Sequence, residues 1–295
     1  MAAVTGQQPN LREAAGWRRT KNRIATVLMW AAFVLVVIPL VFVLITVVAR
    51  GIGIISWQFL TADIPPQVVP ADIGGIGPAI VGTFLIVGVA TLITVPLGVL
   101  GAIYLNEYGG KGPLGRLIGF MADVMTGVPS IVMGLFIFSI WVLHFQFSGF
   151  AGALALGCLM LPVVIRSTDE MLKLVPNPLR EGSYALGATK ARVTLTVVLP
   201  AAIGGIVSGA LLAVARAAGE TAPLLFTILT VTSVNKNVFS GPNTSLPSQI
   251  FANATSPYTG AQDRAWGAAL TLIVIAFVLM IAARIITARV TRYSR

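Results

Sequence analysis

The chain has 295 residues, of which 56% are hydrophobic and only 10% charged. A soluble domain carries about 25% charged residues, so this composition excludes an ordinary soluble protein and calls for a bilayer as solvent. The net charge is +10, but the basic residues alternate between the loops of one side and form no single patch. That excludes a nucleic-acid surface and is a topology signal instead.

Residues 1–23 form a polar, basic tail holding Arg12, Arg18, Arg19, Lys21 and Arg23, expected to be mobile. The apolar run after Arg23 is too long for the h-region of a cleavable signal and lacks a small-x-small exit. Six membrane helices follow, at about residues 24–48, 78–105, 117–143, 149–165, 202–230 and 266–286. Each is near or above the ~20 residues needed to cross, the fourth being shortest. The fold class is therefore an all-α polytopic membrane protein. Its expected parts are the tail 1–23, a first helix with its external loop over 24–75, a core of five helices over 76–287, and a basic end over 288–295.

Lys and Arg set the orientation. Besides the tail, Lys111 and Arg116 follow the second span. Arg166, Lys173, Arg180, Lys190 and Arg192 follow the fourth, and Arg284, Arg289, Arg292 and Arg295 lie at the end. The opposite loops hold only Arg50, Lys236 and Arg264. The positive-inside rule places both termini in the cytoplasm. The outer connections, 50–77 and 232–263, are rich in turn formers such as Pro65, Pro66, Pro70, Asn243, Pro247 and Asn253. They read either as an ordered cap facing an external partner or as solvated connectors.

Within the loop after the fourth span stands EGSYALGATKARVTLTVVLP, residues 181–200. Asn177-Pro178 can start a helix, and Gly187 can end it with a left-handed cap. Thr189 can cap the next segment. Glu181 at the helix start suits the dipole and can reach a basic group on a partner. A short helix cannot bury an apolar face of Tyr184, Ala185 and Leu186 alone, so either a protein partner or the lipid headgroups must cover it. The frame Glu181, Gly182, Ser183, then Gly187, then Val197 and Leu199-Pro200 resembles the EAA loop of ABC-importer permeases. That resemblance implies docking onto a separate ATP-hydrolysing subunit. Gly182-Ser183 stands where that family has Ala-Ala; both are small, though Gly182 weakens the helix by up to ~1 kcal/mol.

Arg216 and Glu220 sit in the predicted fifth helix, Arg216 roughly 15 residues past Pro200 and so near mid-depth at ~1.5 Å per residue. A lone Arg there costs at least ~2.5–3.5 kcal/mol on insertion scales. The i, i+4 spacing lets Glu220 neutralise it, although Arg before Glu is the weaker order for helix support. Small residues surround the pair, among them Gly205 and Gly209 in a GxxxG that permits close helix approach. The pair is either a structural ion pair or an oxyanion site, since Arg offers two parallel charge-assisted hydrogen bonds. Glu220 can take the proton of a protonated oxyanion, which would favour phosphate over sulfate, and can keep Arg216 from becoming a trap.

The run ARAAGETAPLL, residues 215–225, resembles the signature of phosphate-specific ABC importer permeases, and its ending resembles the PstA-type subunit. TGVPSIVMGLF (126–136) and GTFLIVGVATLITVPLGVLGAIYLNEY (82–108) resemble the same family's third and second spans. The resemblance covers residues 76–287. It implies a type I importer core of five helices plus one, and a bacterial plasma membrane. It also implies a heterodimer with a sister permease, a pair of ATPase subunits holding ATP and Mg, and an external phosphate-binding protein. Thr221 falls in this signature and joins Arg216 and Glu220 as a candidate pathway residue.

Thr126-Gly-Val-Pro129-Ser130 interrupts the third helix. Broken helices mark transport sites, and Thr126 and Ser130 can donate to an anion; a packing kink is the alternative. Asp123 reads as a cap or loop contact. Glu107 and Tyr108 close the second span and are candidates to face a partner subunit. His144, the single histidine, sits near the outer surface, and Cys158 is a small packing residue. Gly109-Gly110-Lys111-Gly112 lacks the P-loop frame, and no Cys/His spacing suggests a metal site. The chain is thus expected to be a transport subunit and not an enzyme. The rival functions are import of another oxyanion (molybdate, sulfate or phosphonate), an ATP-independent anion carrier or channel, and a membrane-embedded regulatory scaffold.

Overall fold

The computed structural model describes residues 11–65, 73–109 and 112–293. Among these every regular element is helical. The chain divides into two compact units, residues 1–49 and 50–295.

The first unit is formed by helix α1 (Leu11–Gly51), which runs on into the first residues of the second. Leu, Arg, Ala and Lys are good helix formers, so the helix extends back through the basic residues to Leu11. The expected tail is therefore helical over 11–22. Lys21 Nζ lies 5.1 Å from the Trp17 ring centroid. The span beyond is apolar all round and almost wholly exposed, as a lipid-facing helix should be.

The second unit begins with the short helix α2 (Trp57–Thr61), whose N-cap Ser56 accepts from Phe59 N at 3.1 Å. Helix α3 (Gly77–Ile103) follows and ends in a π-helical turn, Tyr104–Gly109. The predicted third span is two helices: α4 (Pro113–Gly127) and α5 (Ser130–Ile137), the latter prolonged by a π-helical turn, Phe138–Val142, and by α6 (Leu143–Phe145). The two halves bend by 110°. Pro129 pushes the residue before it out of the α region, and Val128 adopts φ −75°, ψ 129°. Next come α7 (Gly149–Lys173), α8 (Asn177–Ala185) and α9 (Lys190–Val193). A third π-helical turn (Thr194–Val198) leads into α10 (Leu199–Ala218). The chain closes with α11 (Leu224–Thr227), α12 (Leu246–Ala254) and α13 (Thr259–Tyr293). Among the described residues five helices are long and apolar enough to cross a membrane, or six if the bent pair counts as one span.

Helices α3 and α7 run in the same direction and form the centre of the second unit. Ile86, Ala90, Leu156 and Met160 bury against Ala217 and Leu224. Ala102, Ile165 and Leu172 bury against Val193, Val198 and Ala202. Lipid tails are as apolar as Leu, so such helices associate through close packing of small residues. The GxxxG of α10 does this. A Cβ on Gly205 would collide with Met171 Sδ, and one on Gly209 would lie 2.5 Å from Ser167 Oγ.

The two ends of the unit differ. At one, the ends of α3 and α7 meet α8, α9 and the start of α10. At the other, the connection 228–258 folds over the starts of α3, α7 and α13 as an ordered polar cap. Asn243 Oδ1 accepts from Gly149 N at 2.8 Å, and Leu246 N donates to Thr83 Oγ1 at 2.8 Å. Arg264, assigned to an outer loop from its sequence position, is 2% exposed. Its Nε donates to Ile73 O at 2.5 Å and its guanidinium to Asn253 Oδ1 at 3.3 Å. Asn253 continues to Gln249, and Gln249 to Thr244. Buried polar groups must be satisfied, and here they satisfy one another. Pro66 and Pro70 lie outside the described residues.

Candidate functional site

Two groups of residues carry the chemistry. The first is built where α10 stops. The sequence places both Arg216 and Glu220 inside a helix running to residue 230, but α10 ends at Ala218 with Gly219 as C-cap. Arg216 is thus in the last turn, where a cation complements the partial negative charge of the free carbonyls, and Glu220 lies just beyond the cap. The early stop has a visible cause in the Gly219 and Pro223 that frame Glu220-Thr221-Ala222. The same-face pairing survives: Arg216 Nε lies 3.5 Å from Glu220 Oε1. The Arg216 side chain is 71% exposed and that of Glu220 22%. Leu159, Met160 and Val163 of α7 and Ala213 and Ala217 of α10 line the small apolar recess beside them.

Thr221 accepts backbone hydrogen bonds through its carbonyl from Leu224 N and Leu225 N, at 3.1 and 3.3 Å, which starts α11. This short helix packs on α5, the segment that follows the other break. Thr126 is exposed at the end of α4, and its hydroxyl donates to Asp123 O at 2.6 Å. Ser130 is half-buried in the first turn of α5. Among the described residues no hydrogen bond or ion pair joins Thr126 or Ser130 to Arg216 or Glu220. Asp123 pairs with Arg166 of α7, which also donates to Gly119 O at 3.0 Å; the acid ties α4 to α7.

The second group is the segment after α7. Helix α8 begins at Asn177, one residue earlier than an Asn177 cap would require, with Pro176 as N-cap and Pro178 in the first turn. Glu181 is therefore mid-helix and exposed, not at the helix start, and the dipole contributes little there. Gly187 has φ +82°. Gly187 N donates to Tyr184 O at 2.9 Å and Ala188 N to Ser183 O at 3.2 Å, the pair of bonds that closes a Schellman motif. Thr189 is the N-cap of α9, without a side-chain bond. The turn presents Leu186, 90% exposed, beside Tyr184 and Ala185. Ser183 Oγ donates to Leu179 O at 2.8 Å, and a Cβ on Gly182 would meet nothing within 4 Å.

Two residues correct the reading of this end. Glu107, expected to face a partner subunit, is buried within this chain: its side chain is 5% exposed and bonded to Arg180 of α8. Arg180, counted in the sequence only as a loop charge, donates to Glu107 Oε1 (3.0 and 3.2 Å), Leu172 O (2.9 Å), Val175 O (2.6 Å) and Asn177 Oδ1 (3.2 Å). The signal that could have found it is a carboxylate closing one span and an Arg opening the helix after another.

Residues 94–292 match the family described as binding-protein-dependent transport system inner membrane component. The chain is 45% identical over 284 residues to the phosphate transport system permease protein PstA 1 of Mycobacterium tuberculosis, covering 94% of this chain and 91% of that one. It is 43% identical to the phosphate transport system permease protein PstA of Yersinia pestis, covering 94% of each. Among solved structures it resembles a chain of the MetNI methionine ABC transporter (TM-score 0.58, 18% identity, 73% of this chain and 94% of that one). It also resembles a chain of a bacterial alginate ABC transporter (TM-score 0.65, 13% identity, 93% and 98%). These structural likenesses establish the fold alone, an all-helical membrane-transporter subunit fold. By sequence, the chain belongs to the PstA-type permeases of the binding-protein-dependent inner-membrane transport components.

Proposed function

We propose that this chain is the membrane-spanning permease subunit of an ATP-driven importer of inorganic phosphate. The observation that carries the reading is the Arg216–Glu220 pair, open on one side at the end of a broken helix, in a chain of this family. Arg216 offers a transient site for the anion through charge-assisted hydrogen bonds. Glu220, within reach of the same guanidinium, competes with the cargo and so permits release. The broken backbone at Gly219 and at Val128-Pro129 frees polar groups where a pathway can use them.

Alternating access needs an engine. Helix α8 with its exposed Leu186 and Tyr184 suits docking onto an ATPase subunit, which would hold ATP and Mg and hydrolyse the nucleotide; this chain would perform no covalent chemistry. The end bearing α8 and α9 then faces the cytoplasm, as do both termini, and the polar cap over 228–258 faces an external phosphate-binding protein. A sister permease completes the pathway as a heterodimer. Thr126, Ser130 and Thr221 flank the two breaks and complete the candidate pathway set.

The test is ATP-dependent uptake of radiolabelled phosphate by vesicles carrying the assembled complex with its binding protein. Arg216→Gln should abolish uptake while assembly is intact. Undiminished uptake by this variant would make the pair structural and overturn the proposed route.

A further inference from the structure

The π-helical turn Tyr104–Gly109 at the end of α3 makes a different contact with each of three consecutive residues. Asn106 Nδ2 donates to Asp169 Oδ1 of α7 at 3.2 Å. Glu107 receives Arg180 of α8. The Tyr108 ring lies under Lys190 of α9, with Nζ 5.1 Å from its centroid. Successive side chains of a helical turn point in different directions, so one short segment can hold three elements at once. The Glu107–Arg180 contact is enclosed on both sides, its side chains 5% and 13% exposed. Asp169, 4% exposed, is also held by Lys173 Nζ at 2.5 Å. A π-helical turn is a rare local geometry, frequently found at functional positions.

We propose that this turn is the receiver of the coupling segment: Glu107–Arg180 and Tyr108–Lys190 fix α8 and α9 to α3, and Asn106–Asp169 passes the same displacement to α7. Both arms of the coupling helix-turn-helix end on neighbouring residues of one span. A push on α8 from an ATPase partner therefore moves α3 directly instead of bending the connection 174–176. Arg180 reinforces this by bonding Leu172 O and Val175 O, across that connection. Breaking a buried pair leaves a charge uncompensated, so the link resists being opened under load. Glu107, Arg180 and Tyr108 are positioning residues: they touch no cargo. The inference deepens the proposed function and rests on the chain being driven by a separate ATPase.

The test measures phosphate transported per ATP hydrolysed by the complete reconstituted complex with its binding protein. Glu107→Gln keeps the shape of the side chain and removes its charge. Tyr108→Leu leaves every buried ion pair in place and removes only the ring beneath Lys190. The expected result for Glu107→Gln is hydrolysis near the wild-type rate with phosphate per ATP reduced about fivefold or more, and a smaller reduction in the same direction for Tyr108→Leu. A ratio equal to wild type in both variants overturns the inference, whether or not the absolute rates fall with the amount of assembled complex. Wild-type complex that hydrolyses ATP but takes up no phosphate overturns the proposed function instead, so the two failures are distinguishable.

Discussion

Gly134 of α5 lies against the backbone of Pro223: a Cβ there would come within 2.6 Å of Pro223 Cα and 2.8 Å of its carbonyl oxygen. The contact docks one helix break on the other. Pro223 opens α11 just beyond Glu220, and α5 opens just beyond Pro129. The segment that carries Glu220 is thus packed at its far end against a glycine on a different helix, far away in sequence.

Gly134→Val should displace α11 and with it the segment that carries Glu220. Overpacking of this kind costs about 1–3 kcal/mol, so the purified subunit should melt earlier. Phosphate uptake should fall by more than the loss of assembled complex explains. Gly88 is also helical, but a Cβ added there would meet nothing within 4 Å, so Gly88→Ala is the control: it should melt no earlier than wild type, since Ala favours the helix over Gly, and leave uptake unchanged. Equal melting of the two variants would show that the contact at Gly134 is soft.

The carboxylate at 220 has a testable chemical role. Phosphate carries a proton at neutral pH and sulfate does not, so the side chain of Glu220 can accept a hydrogen bond from the first and has none to accept from the second. Glu220→Gln, which keeps the size of the side chain, should weaken discrimination against sulfate in uptake competition. The change is expected to be about tenfold, the value of one hydrogen bond to a charged group. A variant that transports phosphate normally and still excludes sulfate would sink the idea and assign selectivity elsewhere.

The polar cap makes a third prediction. Asn243 is 1% exposed. It accepts from Gly149 N and donates through Nδ2 to Asn235 O, both at 2.8 Å. Asn243→Ala leaves an N–H and a carbonyl without these partners, at about 1–3 kcal/mol for a buried group left unsatisfied. Asn243→Asp keeps the acceptor at the start of α7, where negative charge is favoured, and exchanges the donor to Asn235 O for a second acceptor oxygen. Thermal denaturation of the purified subunit should therefore rank wild type above Asn243→Asp above Asn243→Ala. The reverse order of the two variants would mean that the bond to Asn235 is the one that holds the cap.

Much of this architecture is legible in the sequence, and the misplaced features share a cause. Apolar runs and the Lys/Arg bias mark the spans because a bilayer imposes simple rules on length and charge. Gly187 announces the end of α8 because few residues adopt positive φ without strain. Three features come out misplaced. Arg216 reads as mid-helix because Gly219 alone does not tell a packing glycine from a C-cap; Pro223, four residues on and packed against Gly134, goes with the early stop. Glu107 reads as a residue facing a partner subunit and Arg264 as an outer-loop charge, because charges beside loops are usually accessible. Their burial depends on partners 73 and 191 residues away in sequence, Arg180 and Ile73, which no local pattern can pair.

Leu186 supplies the most direct test of the coupling segment. A leucine 90% exposed at the tip of a helix-turn-helix contributes almost nothing to the stability of the isolated chain, since surface substitutions fall within about 0.5 kcal/mol. Two surfaces could cover it: a pocket on an ATPase subunit or the lipid headgroups. The choice of substitution separates them. Leu186→Asp removes the apolar contact in either case and should abolish co-purification of the ATPase subunit. Leu186→Lys strengthens attraction to anionic headgroups, so a segment that merely rests on lipid would tolerate it, whereas an apolar pocket would not. The expected outcome is an unchanged melting temperature of the purified subunit and loss of the ATPase partner with both substitutions. Retention of a stoichiometric ATPase with both would show that docking does not use this turn and would leave Tyr184 and Glu181 without their assigned role.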